Sequence, residues 1–337
     1  MDILSLISNE ELAEFASAYQ YKKDFMGDKL FPARKTENLK VAIRKIVEGG
    51  NLPVMAQVHA LDTEARIGDR PNFEEIKLEK VLIKEKLPLG ERIAEFLGHN
   101  ASKSEVIDFI YDDANNLISR NLTRAEVAKM EVLATGKATY KENNVVTEVD
   151  YGVPAANIAT TTANWASAAG DIIADIVAVK KAAQKKGYNI VRAITSSTVI
   201  GYMLANTGIK SYWATSVVPL TESRLIAWMQ ENYGIEFIVN DQMYKTSAQA
   251  TQGYRFFPEL KIAFLATRGT VGASLYGVTP EERQELATDY SVRENMLVTL
   301  TRWKEPDPAT VWMKGSSVFV PVLADPNGLF IRTVKNS

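Results

Sequence analysis

Residues 54 to 84 limit what this chain can fold into more than any other stretch. Two extended-looking limbs, VMAQVHA (54–60) and IKLEKVLIK (76–84), flank LDTEARIGDRPNFEE, which is dense in charge and broken by Gly68 and Pro71. Limb, charged tip and limb predict a long hairpin whose tip is too polar to enter the chain's own core. Connections of that length are uncommon inside a compact domain and are usually functional. Burying such limbs calls for a surface on another subunit.

Composition narrows what that surface serves. The 337 residues suffice for one large or two medium domains, and 46% hydrophobic with 24% charged residues describes a folded chain. Lysine plus arginine (39) and aspartate plus glutamate (41) nearly cancel, so no global basic field exists to hold nucleic acid. With no cysteine, disulfides, thiolate catalysis and cysteine-ligated metals are excluded together. The opening MDILSLISNEELAEFASAYQ is acidic and amphipathic, which predicts no signal peptide, and no apolar run reaches the ~18 residues of a membrane span.

Along the chain, Ile3, Leu4, Ile7, Leu12 and Phe15 predict a short helix within residues 1–25, followed by a polar arm, DKLFPARKTENLK. KVAIRKIV (40–47) predicts a strand. Ser102 and Glu105 have capping-box spacing before an apolar stripe of Val106, Ile107, Ile110, Ala114, Leu117 and Ile118. A second cap-like pair, Thr123 and Glu126, leaves open one long helix or two in line. Gly136 is the expected helix stop, followed by strand, turn and strand over 137–152. Residues 168–187 predict another helix. IVRAIT, EFIVND and KIAFLAT predict strands, with helices near 196–206 and 221–233, an α/β stretch. SVFVPVLAD, PNG and LFIRTV predict a terminal hairpin turned at Asn327-Gly328.

No chemical motif survives inspection. Gly136-Lys137 resembles the end of a phosphate loop, but Glu131 stands where the first glycine belongs and Ala138 where a hydroxyl should ligate magnesium. The order is also reversed, since a helix runs into a strand there. His59 and His99 are isolated in sequence and form no metal pair. Asp62, Glu64, Asp69, Glu74 and Glu75 match no calcium loop and are interleaved with Arg66 and Arg70, a pattern suited to a salt-bridged interface. Asp112 and Asp113 are expected on a solvated helix face. GTVGASLYG (269–277) lacks dinucleotide-loop spacing. The expectation is no enzyme, no cofactor and no metal.

Three motifs carry a resemblance. Leu133, Gly136, Lys137 and Tyr140 are followed by Val149, Asp150, Tyr151 and Gly152. Trp303 precedes Asp307-Pro308-Ala309 and then VPVLADPN, ending at Asn327. The third is GTVGASLYG. In this order, and over nearly the whole chain, they resemble the lambda E-like family of tailed-phage major capsid proteins.

The resemblance implies an α+β, Hong Kong 97-type capsid fold. On this chain it places an N-terminal arm at 1–50, an extended hairpin (the E-loop) at 54–85 and a P-domain at 86–155 with a spine helix about 102–135. An α/β A-domain follows at 156–285, then C-terminal strands at 286–337. It implies many copies of the chain in an icosahedral shell, in a virion assembled in the bacterial cytoplasm and enclosing DNA without sequence-specific binding. Its partners are a separate scaffolding protein, a portal and a decoration protein, with no membrane. Asp62, Glu64, Arg66, Asp69, Arg70, Glu74, Lys77 and Lys80 become expected inter-subunit contacts, and Gly136 and Gly152 expected hinges. Lys84 and Lys86 alternate along the same limb. The alternatives are an encapsulin-like bacterial nanocompartment of the same fold, or a soluble α/β enzyme with an unrecognised site.

Overall fold

The apolar stripe of residues 106–118 lies on a single helix, Lys103–Thr135, with no break at the second cap-like pair. Glu126 is not a cap. It is fully buried, and its Oε1 accepts the amide of Gly27 at 2.8 Å, so its acid serves a tertiary contact. The computed structural model describes residues 24–46, 51–89, 103–142, 145–214, 218–283 and 297–336, apart from positions 60, 69, 71 and 308, together with Glu11. Most of the helix expected over 1–25 lies outside that set, as do Asp69, His99 and Ser102.

Among the described residues sixteen strands follow in chain order. They are β1 (Ala33–Lys35), β2 (Lys40–Ile46), β3 (Phe73–Glu79), β4 (Val81–Leu89), β5 (Lys137–Glu142), β6 (Val145–Asp150), β7 (Ile158–Asn164) and β8 (Arg192–Thr195). Then come β9 (Glu236–Val239), β10 (Met243–Tyr244), β11 (Tyr254–Arg255), β12 (Lys261–Leu265), β13 (Gly272–Gly277), β14 (Thr299–Pro306), β15 (Ala309–Leu323) and β16 (Leu329–Lys335). The chain divides into two compact units of three segments each: 1–41, 78–127 and 273–322, and 42–77, 128–272 and 323–337.

In the first unit the sheet runs β1-β13-β15-β14, with β4 also paired to β15. The helix stripe (Val106, Ile110, Ala114, Leu117, Ile118) packs with Val298, Leu300 and Met313. Contact is close at Gly315, where an added Cβ would stand 3.1 Å from both Leu117 Cβ and Asn121 Nδ2. β14 and β15 pair antiparallel as far as Pro306 opposite Ala309.

The second unit holds a mixed sheet, β7-β16-β12-β8-β9. β8 and β9 are parallel, whereas β12 runs antiparallel to β8 and to β16. Its helices include Ile172–Gln184, Ser197–Ala205 and Glu222–Tyr233. Asp171 and Ser196 cap the first two by accepting the amides of Ala174 and Val199, and Gly234 closes the third at φ 68°. The α/β expectation for this stretch is met.

Two strand expectations are corrected. Among the described residues, 54–59 form no strand; β3 pairs instead with β2. Alternating apolar residues stabilise a strand only when a partner backbone and a covered face exist, and the described residues of 54–60 have neither. The terminal hairpin is absent as well. β15 and β16 belong to different sheets, joined by the 3₁₀ turn Pro326–Gly328. A two-residue Asn-Gly hairpin turn needs positive φ at both residues, and neither Asn327 nor Gly328 has it. Asp325 fixes the turn instead by accepting the Asn327 amide at 3.0 Å.

Candidate assembly surface

Between β2 and β3 the chain presents apolar side chains directly to solvent. Val54 is 96% exposed, Met55 88%, Val58 99%, Leu61 94% and Ile67 91%. Fully burying such a side chain is worth roughly 1.5–3 kcal/mol, so covering these five represents on the order of 10 kcal/mol before the cost of ordering the segment. Among the expected contact residues, Asp62, Glu64, Arg66 and Arg70 lie exposed on this connection, and Glu74 and Lys77 are exposed on β3. Asp62 holds a left-handed φ of 62°, a conformation aspartate tolerates better than most residues. Among the described residues no His, Cys, Asp and Glu cluster could hold a metal ion.

The charges alone did not single out this surface. Its strongest feature is apolar, and Leu61 and Ile67 carry the sequence signal: they lie inside the charged tip, where no core of their own is within reach.

Lys80 departs from the expectation. Only 4% of it is exposed, and its Nζ donates to Thr36 O (2.8 Å), Thr36 Oγ1 (2.6 Å) and Tyr276 O (3.4 Å). Burial lowers its pKa, and the nearby Arg283 charge pushes in the same direction. Its side chain ties the segment after β1 to β13 within one chain, so it is not a free contact for another. The limb's alternation puts Lys77 and Lys84 outside and Lys80 inside, because β3 ends at Glu79 and the register breaks before β4. Lys86 is exposed and stands 3.8 Å over the Trp312 ring, which stacks on Trp303.

The β5–β6 hairpin is bounded by two left-handed glycines, Gly136 at φ 76° and Gly152 at φ 66°. The Gly136 amide reaches back to Val132 O (2.8 Å) and closes the long helix, while its carbonyl accepts the amide of buried Tyr151. Gly152 accepts from Lys45 Nζ at 2.6 Å and donates to Asp150 Oδ1 at 2.8 Å. Lys137 faces no phosphate site; its Nζ bridges Glu148 (2.6 Å) and Asp150 (3.3 Å), and the hydrogen bond to Glu148 raises its pKa. Asp112 is exposed as expected, but Asp113 is half-buried, and desolvation raises its pKa.

Comparison with known proteins agrees with this architecture. Residues 8–334 match the family profile described as phage major capsid protein E. No curated protein matches by sequence. A capsid protein of an Escherichia coli CFT073 prophage is similar in structure, with a TM-score of 0.64 at 16% identity over 97% of this chain and 99% of that one. A phage-related protein from Bordetella bronchiseptica RB50 aligns at 0.57, with 12% identity over 98% of each chain. The satellite phage P4 procapsid aligns at 0.51, with 10% identity over 97% of this chain and 90% of that one. These likenesses identify the Hong Kong 97-type fold. The chain belongs to the phage major capsid protein E family, a family of shell-forming proteins.

Proposed function

We propose that many copies of this chain close into the icosahedral head of a tailed phage, with residues 54–85 acting as an E-loop laid over a neighbouring subunit. The observation that carries the reading is the run of exposed apolar side chains from Val54 to Ile67. A monomer gains nothing from presenting them, whereas a neighbour's surface removes them from water. Asp62, Glu64, Arg66, Asp69, Arg70, Glu74 and Lys77 would set register and partner choice around that apolar strip.

In this reading residues 1–50 are the arm, 86–155 the P-domain with its spine helix, 156–285 the A-domain and 286–337 the returning C-terminal strands. Gly136 and Gly152 would be the joints about which the β5–β6 hairpin reorients as a prohead expands. Assembly would take place in the host cytoplasm around a scaffolding protein and a portal. A decoration protein could bind outside, and packaged double-stranded DNA would be held by enclosure. Expression of the full chain with and without a scaffolding protein, followed by negative-stain microscopy, tests the reading: closed shells are expected. A stable monomer under every assembly condition would overturn it.

A further inference from the structure

In the second unit a cavity of about 280 Å³ opens between β7 and the helix Ile172–Gln184. Ala178, Val179 and Ala182 of that helix and Phe264 of β12 supply apolar lining, and Thr160, Thr162, Asp175 and Arg332 supply polar lining. Arg332 sits on β16, opposite Ala159 on one side and Ile262 on the other. One end of its fork is occupied: Nη1 donates to Asn157 O at 2.6 Å and to Ile331 O at 2.8 Å. Nε and Nη2 have no acceptor among the described residues.

The guanidinium is half-buried and its free edge is open to the cavity. The charge acting on it is that of Asp175 in the same lining, with no carboxylate in ion-pair contact among the described residues. Burial lowers the Arg332 pKa, and the charge of Asp175 offsets this only in part. Asp175 is engaged elsewhere, accepting the amides of Thr162 (3.0 Å) and Ala163 (3.0 Å) and the Trp165 indole (2.9 Å). Three donors fix that carboxylate in place and partly offset its charge.

We infer that this cavity is a receptor for one aliphatic carboxylate, with the acid on the open edge of the Arg332 fork and the tail against Ala178, Val179 and Phe264. A planar fork with two open donors matches a carboxylate bidentately. The mostly apolar lining asks for a short branched chain, and the threonine hydroxyls can donate to the same acid. Because Asp175 already holds two amides of edge strand β7, the ligand enters as an acid end rather than as an added strand. That end belongs either to a free small acid or to the C-terminus of a peptide.

Saturation-transfer NMR on the full chain, which works on large assemblies as well as on free subunits, tests the inference with isovalerate as probe. Isovalerate methyl protons are expected to receive saturation, with isovaleramide giving at least a tenfold smaller signal. Arg332→Met should abolish the transfer. Because that change also removes two backbone contacts, Ala178→Leu is the second variant: it fills the apolar side from an exposed position and should abolish transfer too. A valine-terminated peptide that displaces isovalerate, when its C-terminal amide does not, makes a chain end the occupant; no displacement makes it a free acid. No acid signal, equal signals from acid and amide, or a signal unchanged in Ala178→Leu would overturn the inference.

Discussion

At the scale of single residues, two positions convert sequence into geometry most directly. Gly136 holds φ 76°, and a Cβ there would stand 2.9 Å from Val153 Cγ2. A left-handed alanine costs about 1–2 kcal/mol before any clash, so Gly136→Ala should destabilise the subunit by about 2 kcal/mol in chemical denaturation. A loss under about 0.5 kcal/mol would mean the joint relaxes freely. Glu281 carries the second prediction. Burial by itself would raise its pKa, but Lys314 Nζ at 2.6 Å, its own backbone amide and Ser316 Oγ together hold the carboxyl below its ordinary value. A lowered folded pKa means the stabilisation is complete above the unfolded value, about 4.3, and disappears as pH falls through the folded one. Melting temperature should therefore drop on acidification from about pH 5, and Glu281→Gln should flatten that drop while costing on the order of 2 kcal/mol at neutral pH. Thermal unfolding of disassembled subunits across pH checks both. Neither Glu281 nor Lys80 was legible beforehand, because a charged side chain reads as solvated until its tertiary acceptors are known.

At the scale of elements, legibility followed how local each signal is. The long helix declared itself through a stripe repeated over three turns, and the β5–β6 hairpin through a helix stop and a polar turn. The 54–60 limb misled because alternation describes a strand without naming its partner. Asn327-Gly328 misled because a turn signal does not say whether the flanking strands pair with each other. The candidate assembly surface is half visible in the sequence: its charges stand out, while Leu61 and Ile67 are masked by them. The contact between β15 and the long helix makes a prediction of its own. Gly315 lets that strand approach to within 3.1 Å of where its own Cβ would meet Leu117. Gly315→Val would drive side-chain atoms into the packed seam and should cost about 1–3 kcal/mol by overpacking, measured by urea unfolding. An unchanged unfolding midpoint would show that the seam yields.

At the scale of the whole molecule, the proposed shell is where this chain completes its hydrophobic burial. Its described core is satisfied within each unit, yet Val54, Met55, Val58, Leu61 and Ile67 remain in water. Carboxylates at such positions should leave the fold intact and remove the reason to associate. The direct measurement is negative-stain microscopy with sedimentation velocity on the wild-type chain and a Val54→Asp/Val58→Asp variant, with circular dichroism to verify folding. Closed shells of uniform diameter are expected from the wild type, and a variant with the same spectrum and melting temperature that stays as free subunits or small oligomers. A variant that closes shells as readily as the wild type would show that these side chains do not drive assembly.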